Sequence, residues 1–236
     1  MIAAIALVLV VAGVWVGSRL YAAHESSKAA AAPSLSLTAT PEASSSSTAG
    51  SAGAGSASGS TPEADLNGTW SISTGSFAGY RVAEVLNGAN VTVTGRTEDV
   101  SGEVTVAGQR LTAASLTLNV ASVTTDSTRR DEYFRTSAIN TSQYPEATFK
   151  LTEAVDVSAA ANGGSQEFTI KGDLTLNGTT VPVTATVNGA FTGTSAQVVG
   201  HIDVTWQDFG VQAPNLGFVS VQDSGQIEFS MNLAKG

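Results

Sequence analysis

From Leu66 to the end of the chain, apolar and polar residues alternate in short runs. Alternation places every second side chain on the same face of a strand, as for Phe168 and Ile170 or Leu174 and Leu176. Ten such runs predict an antiparallel, all-β fold. The predicted strands are Thr69–Ser73, Tyr80–Leu86, Asn90–Thr94, Glu98–Ala107, Arg110–Val120, Ala147–Val157, Glu167–Leu176, Thr180–Phe191, Ala196–Thr205 and Gln226–Leu233.

Turn residues separate these runs. Asn-Gly pairs at Asn87-Gly88 and Asn177-Gly178 favour tight hairpin turns, because both residue types tolerate positive φ. Pro182 has no N–H to donate, so its strand is expected at a sheet edge or beside a bulge. The segment Ser127–Thr136 departs from the β pattern and predicts one short helix, with Asp126 or Ser127 as its N-cap.

The N-terminus is apolar from Met1 to Gly17 and, after Ser18 and Arg19, again to Ala23. This length predicts a transmembrane anchor over residues 1–23, since a span needs roughly 17–25 apolar residues. A cleaved signal peptide is the alternative, but no basic residue precedes the apolar run. Arg19 and Lys28 follow it, and the positive-inside rule then favours a cytoplasmic C-terminal domain.

Residues 24–65 are rich in Ala, Ser, Thr, Gly and Pro, and 44–60 lack any large apolar residue. Such a segment cannot bury enough surface to offset the entropy of ordering, so a disordered tether is predicted. A coil of about 40 residues has an r.m.s. span of roughly 35 Å, which suits a spacer through a cell-wall layer. Residues 66–236 form the predicted folded domain.

Composition excludes several functions. The formal charge of -9 argues against nucleic-acid binding, which needs a basic face. The absence of cysteine excludes disulfides and a cysteine nucleophile, and two histidines cannot form a multi-histidine metal site. His201 and Asp203 share one strand face and are the best candidates for a two-ligand metal or acid–base pair, but the solvated polar face of a half-buried strand is the preferred interpretation. Neither a metal nor a cofactor is predicted.

Arg129, Arg130 and Asp131 concentrate charge in the predicted helix. They are interpreted as locally paired helix charges, or else as a polar gate over an apolar interior. Tyr133 and Phe134 follow at once, so one helix could direct charge outward and aromatic rings inward.

Several motifs occur in an order that resembles the YceI family. They are SVTTDSTRRDEYF at residues 122–134, YPEATF at 144–149 and GDLTLNGTTVPV at 172–183, flanked by Trp70, residues 79–84 and WQDFG at 206–210. The match spans residues 66–236 and excludes the anchor and the tether. Many relatives have a histidine after the Arg-Asp pair where this chain has Glu132 and Tyr133, so histidine contacts to a ligand head group do not transfer.

The resemblance implies an extended, lipocalin-like antiparallel β-barrel that holds an isoprenoid lipid or quinone. It also implies an extracytoplasmic location, so the chain is expected to be a single-pass protein of the cell membrane with its C-terminal domain outside the cytoplasm. About eight long strands closed into a barrel leave room for one small ligand. Each methylene moved from water into such an interior is favourable by about 0.8 kcal/mol.

The leading hypothesis is therefore a non-enzymatic, membrane-tethered lipid-binding barrel. The alternatives are a structural or adhesive domain with a packed core, and an enzyme that uses His201 and Asp203. The ligand, the oligomeric state and the choice among transport, storage and sensing stay open. The predicted lining residues, taken as the inward positions of alternating strands and the helix, are Val82, Leu116, Leu118, Tyr133, Phe134, Phe149, Phe168, Ile170, Leu174, Val183, Ile202, Val204 and Phe229.

Overall fold

The computed structural model describes residues 20–36, 65–215, 217 and 219–236. Within them the domain is all-β, as predicted. Leu66, just before the first strand, is buried, and its carbonyl accepts a hydrogen bond from the buried Trp70 Nε1 at 2.9 Å. The strands are β1 (Gly68–Ile72), β2 (Phe77–Leu86), β3 (Ala89–Thr97), β4 (Val100–Ala107), β5 (Arg110–Asn119), β6 (Glu146–Leu151), β7 (Val155–Asp156), β8 (Ser165–Leu176), β9 (Thr179–Thr192), β10 (Ser195–Thr205) and β11 (Val219–Lys235).

The sheet closes on itself. Among the described residues, β1, β4, β5, β6, β8, β9, β10 and β11 are hydrogen-bonded in that order, and β11 pairs back with β1 to form an eight-stranded antiparallel barrel. The long β11 pairs with β1 near its C-terminal end and with β2 along its N-terminal part, so the β2–β3 hairpin extends the wall beside β1. The eight-stranded antiparallel barrel that the family resemblance implied is therefore confirmed.

The predicted hairpin turns are confirmed in detail. Asn87 and Gly88, and likewise Asn177 and Gly178, have positive φ, as a tight primed turn requires. Pro182 pairs with Asp173 of β8, while the pairing of β9 with β10 begins only at Ala185. The missing N–H of Pro182 therefore faces a side of β9 that β10 does not occupy. The predicted strand over 147–157 is divided into β6 and β7.

The predicted short helix is also present. An α-helix over Thr128–Tyr133 follows the N-cap Ser127 and continues as a π-helical turn over Phe134–Ala138. Residues 128–138 are called the mouth helix below. It connects β5 to β6 and lies at one end of the barrel, while a second short helix, Ser158–Ala161, lies near the other end.

The anchor prediction falls mostly outside the described residues. No helix in the described part of the chain is long and apolar enough to cross a bilayer. Of the predicted span 1–23, only residues 20–23 are described, and they are helical. Of the predicted tether, residues 24–36 are described together with Asp65, and the former lie against the barrel wall. Residues 24–36 are called the strap below.

Candidate ligand cavity

The barrel encloses a cavity of about 850 Å³ lined mainly by apolar side chains. Alternation along each strand directs these side chains inward, for example Ile170 and Leu174 of β8 or Ile227 and Phe229 of β11. Phe149, Phe168 and Phe229 are only half-buried although they face the barrel interior. They keep accessible surface because the centre of the barrel is not filled by side chains.

Glycines beneath aromatic rings help to keep this space open. The Phe149 ring lies over Gly172 of the neighbouring strand, where an added Cβ would come within 2.3 Å of the ring. The Phe229 ring covers Gly200 in the same way, and a Cβ added at Gly200 would come within 2.8 Å of that ring. Each glycine lets a bulky ring lie along the wall instead of projecting across the barrel.

The two ends of the barrel differ. One end is closed by buried apolar residues, among which Trp70 is 1% exposed and packs edge-on against Phe191, with ring centroids 6.0 Å apart. At the other end the lining includes charged residues, namely Asp126, just before the mouth helix, and Arg129 and Arg130 within it. The cavity therefore opens at the mouth-helix end.

Aromatic contacts hold the mouth helix over this opening. The Phe134 ring stacks on Tyr80 of β2, with centroids 5.3 Å apart and an interplanar angle of 21°. Tyr80 also packs edge-on against Trp206. Burial raises the pKa of the Tyr80 hydroxyl, so this side chain stays neutral and serves as an aromatic support for the helix.

Charged groups form a rim around the opening. Arg130 joins two carboxylates: its Nη1 contacts Asp126 Oδ1 at 2.5 Å, and its Nη2 lies 3.5 Å from Glu84 Oε1. Glu84 is 5% exposed, and burial raises the pKa of its carboxyl while the Arg130 charge opposes that shift. Asp131 accepts hydrogen bonds from the Thr125 N–H and hydroxyl at 2.8 and 2.7 Å. The charged residues near the mouth helix thus pair locally with one another and also form a polar rim around the opening.

The cavity brings together eleven of the thirteen predicted lining residues, whereas Val183 and Val204 do not line it. Val204 is buried in the core and Val183 packs against the same core cluster, so both point inward but contribute to the packed wall. Whether the lining residues contact a ligand stays a prediction. The eleven are Val82, Leu116, Leu118, Tyr133, Phe134, Phe149, Phe168, Ile170, Leu174, Ile202 and Phe229.

Part of the lining was missing from the sequence prediction. Trp70 and Ile72 of β1 and Val104 and Val106 of β4 also face the cavity. The two residues of each pair are separated by one position, and this alternation was the signal in the sequence that could have identified them. Glu25 and Lys28 of the strap contribute to the rim as well, and no pattern in the strap indicates that role.

The alternative acid–base pair lies elsewhere. His201 and Asp203 alternate with the inward Ile202 and so face the outer surface of β10. Asp203 is exposed and accepts a hydrogen bond from Gln226 Nε2 at 2.9 Å. The described residues contain no group of three or more His, Cys, Asp or Glu side chains able to hold a metal ion.

A closed antiparallel barrel with an apolar interior and one polar opening belongs to the class of barrels that can enclose a small ligand. The family model of the YceI-like domain matches residues 70–233, which is well over half of the chain. This chain is a member of the YceI family, as the motifs in the sequence predicted.

Relatives of known sequence agree with this assignment. A UPF0312 protein of Vibrio cholerae is 33% identical over 131 residues, covering 51% of this chain and 65% of that protein. Protein YceI of Escherichia coli is 37% identical over 93 residues, covering 39% of this chain and 40% of that protein. The chain thus spans less than two thirds of the length of these curated relatives.

Solved structures share the fold. A polyisoprenoid binding domain from Saccharophagus degradans, implicated in plant cell wall breakdown, superposes with a TM-score of 0.58 and 21% identity, covering 71% of this chain and 98% of that one. BcnA of Burkholderia cenocepacia gives a TM-score of 0.51 and 23% identity, covering 65% of this chain and 95% of that one.

Proposed function

We propose that this protein is a membrane-tethered, extracytoplasmic binding protein that holds a polyisoprenoid, a quinone or a similar long-chain amphiphilic lipid in its barrel. The observation that carries the proposal is the apolar cavity of about 850 Å³, open at one polar end. A long apolar chain would fill the interior, and its polar head would lie at the charged rim. The solved structure from Saccharophagus degradans that shares this fold is named as a polyisoprenoid binding domain, which supports the same ligand class.

Energetics favour a long chain over a compact ligand. Each methylene transferred from water contributes about 0.8 kcal/mol, so a chain of several isoprene units gains enough to offset the cost of association without many polar contacts. The interior offers little else, because its charged lining residues, such as Arg129 and Glu84, belong to the rim. Specificity for one head group would therefore arise at the rim, and chain length would be selected by the cavity.

A structural or adhesive domain with a packed core is less consistent with this geometry. Large apolar side chains filling the barrel would favour it, but Phe149 and Phe229 lie against glycines and leave the centre open. Membrane anchoring through residues 1–23 and the extracytoplasmic location remain part of the proposal. They rest on the apolar N-terminal sequence and on the resemblance to the family.

Native mass spectrometry of the full chain, extracted from membranes in a mild detergent, tests the binding. We expect one long-chain lipid per barrel, identified after organic extraction, and uptake of an added long-chain quinone or polyprenyl phosphate by the emptied protein. An empty barrel that takes up neither ligand would contradict the proposal. Flotation of the full chain with vesicles, compared with a chain beginning at residue 24, tests the anchor separately.

A further inference from the structure

The outer wall of the barrel carries a carboxylate that is almost completely buried. Glu228 of β11 alternates with the inward Ile227 and Phe229 and therefore points away from the cavity. It is nevertheless 2% exposed, which is unusual for an outward-facing acidic side chain on a barrel. Something must cover this position on the outside.

Two arginines and the strap provide the cover. Arg81 of β2 donates from Nε to Glu228 Oε2 at 2.9 Å, and Arg96 of β3 donates from Nε to Oε1 at 3.0 Å. Each guanidinium has a further donor, which binds a backbone carbonyl of the strap: Arg81 Nη2 binds the Ala30 oxygen at 2.6 Å, and Arg96 Nη2 binds the Ala31 oxygen.

Further hydrogen bonds continue this contact along the wall. The Thr92 N–H donates to Ser26 Oγ at 3.2 Å, the Ala30 N–H donates to Thr94 Oγ1 at 2.9 Å, and the Ser36 N–H donates to Gln197 Oε1. Thr94 and Gln197 also face outward, yet they are only 8% and 7% exposed. The strap thus lies in a built polar site that crosses β3, β2, β11 and β10.

The direction of the strap is informative. Its first residues, Glu25 and Lys28, line the rim of the cavity, while Ser36 reaches Gln197, two residues after the start of β10 at the closed end. Asp65 lies at the closed end too, where its carbonyl accepts from Lys235 Nζ at 2.9 Å. Ser36 and Asp65 therefore both lie at the closed end of the barrel.

We infer that the Arg81–Glu228–Arg96 site is a docking site for the strap of this chain, and that docking holds the mouth of the cavity beside the bilayer. The inference rests on the proposed function, because it takes residues 1–23 as the anchor. Ser26, the first strap residue bonded to the wall, is only three positions after Ala23, so the mouth lies within roughly 10 Å of the end of the anchor. A free tether of about 40 residues would instead have an r.m.s. reach of roughly 35 Å.

Docking has a functional consequence for a lipid-binding barrel. With the mouth beside the bilayer, a lipid would enter from the membrane without crossing water, and the serine- and glycine-rich stretch at residues 44–60 would not determine the reach of the barrel. The two rim residues of the strap, Glu25 and Lys28, pair with each other at 2.8 Å and would lie closest to the lipid head groups.

Spin labels test docking within the molecule. The chain has no cysteine, so His24→Cys and Thr128→Cys, both at exposed positions by the mouth, define a single label pair. We expect a narrow, short distance distribution in the full chain. Ala30→Pro, which removes the donor to Thr94, should broaden it and shift it to longer distances. Ala32→Pro is the matched control, since the described contacts include no hydrogen bond from the Ala32 N–H, and it should leave the distribution unchanged.

A second variant does not depend on proline. The triple substitution Arg81→Gln, Arg96→Gln and Glu228→Gln replaces the charges with neutral side chains, so that no buried charge is left unpaired. It should broaden the same distribution while the barrel keeps its circular dichroism spectrum. A broad distribution in the unmodified chain, or one that neither variant changes, would overturn the docking inference.

Energy transfer from a dye at Thr128→Cys to an acceptor in phosphatidylcholine–phosphatidylglycerol vesicles tests the position of the mouth. We expect efficient transfer that survives deletion of residues 44–60 and falls at least twofold in Ala30→Pro. Transfer that changes with the deletion but not with Ala30→Pro would overturn the inference. A full chain that does not float with the vesicles would overturn the anchoring in the proposed function, and the label distances would still decide whether the strap docks.

Discussion

A carboxylate placed in the middle of the cavity should weaken lipid binding in a strongly pH-dependent manner. Ile170 is suitable because it faces the cavity and packs against both apolar core clusters, so it lies between the two ends of the barrel. Among the described lining residues the cations are Lys28, Arg129 and Arg130, all at the rim. A glutamate at position 170 would therefore have no cationic partner once lipid displaces the surrounding water.

The magnitude follows from the proton that the carboxylate must take up. Water hydrates the charge in the empty cavity, but a bound apolar chain favours the neutral acid. A glutamate with an ordinary pKa of about 4.3 pays roughly 1.4 kcal/mol per pH unit to be protonated, which is about 4 kcal/mol at about pH 7.5 and less than 2 kcal/mol at about pH 5.5. Affinity should fall by about 10³-fold at the higher pH and by about 10-fold at the lower pH.

Titration of the emptied Ile170→Glu protein with a long-chain quinone, monitored by quenching of intrinsic tryptophan fluorescence, measures this effect. Ile170→Gln should give a smaller loss that does not vary with pH. Thr169→Glu places the same charge at the adjacent exposed position and should bind like the unmodified chain. Equal losses for the Glu and Gln variants at both pH values would refute the reasoning, because the lipid would then leave position 170 hydrated. Thermal melts of all variants should show that the barrel is folded.

Three further predictions concern the wall and the rim. Gly200→Val would press a Cβ against both the Thr186 carbonyl oxygen and the Phe229 ring, so it should lower the melting temperature and, by displacing the ring into the cavity, reduce lipid stoichiometry. Gly193→Val, in an open turn, should mainly add local strain. Burial raises the folded-state pKa of Glu84, so the folded state holds this proton more tightly than the unfolded state does. The free energy of unfolding should therefore fall as pH rises above about 4.5 toward the raised pKa. Urea titrations of Glu84→Gln should lack that decline. The Tyr80 hydroxyl should stay protonated at about pH 11 in the native protein and ionise on unfolding, as ultraviolet difference spectra would report.

The sequence predicted the barrel because its local signals agree with one another. Alternation identified the inward residues of β8 and β11, and the Asn-Gly pairs at 87–88 and 177–178 determined two hairpins. A helix among strands was visible because residues 127–136 lack the period of two. Closure itself is non-local, since it requires β1 to pair with β11, more than 150 residues away. That pairing entered the prediction through the family resemblance.

The cavity was harder to predict than the barrel. A packed core and an open one have the same alternation, and the difference depends on where bulky side chains meet glycine across the sheet. Gly172 lies beneath Phe149, and Gly200 lies beneath Phe229. These partners belong to different strands, so their juxtaposition depends on register, which spacing along one strand does not reveal.

The strap was invisible for a related reason. Except for the Ser26 hydroxyl, its hydrogen bonds to the wall use backbone N–H and carbonyl groups, which every residue possesses, so an alanine-rich segment can dock without a recognisable side-chain pattern. The recognisable residues are on the barrel, where Arg81 and Arg96 satisfy Glu228 and still have donors available, since a guanidinium carries five N–H groups. A low-complexity segment therefore does not fold on its own, but contacts with a neighbouring surface can still order it. In this chain, the outward charges of β2, β3 and β11 are the feature that distinguishes a docked segment from a free tether.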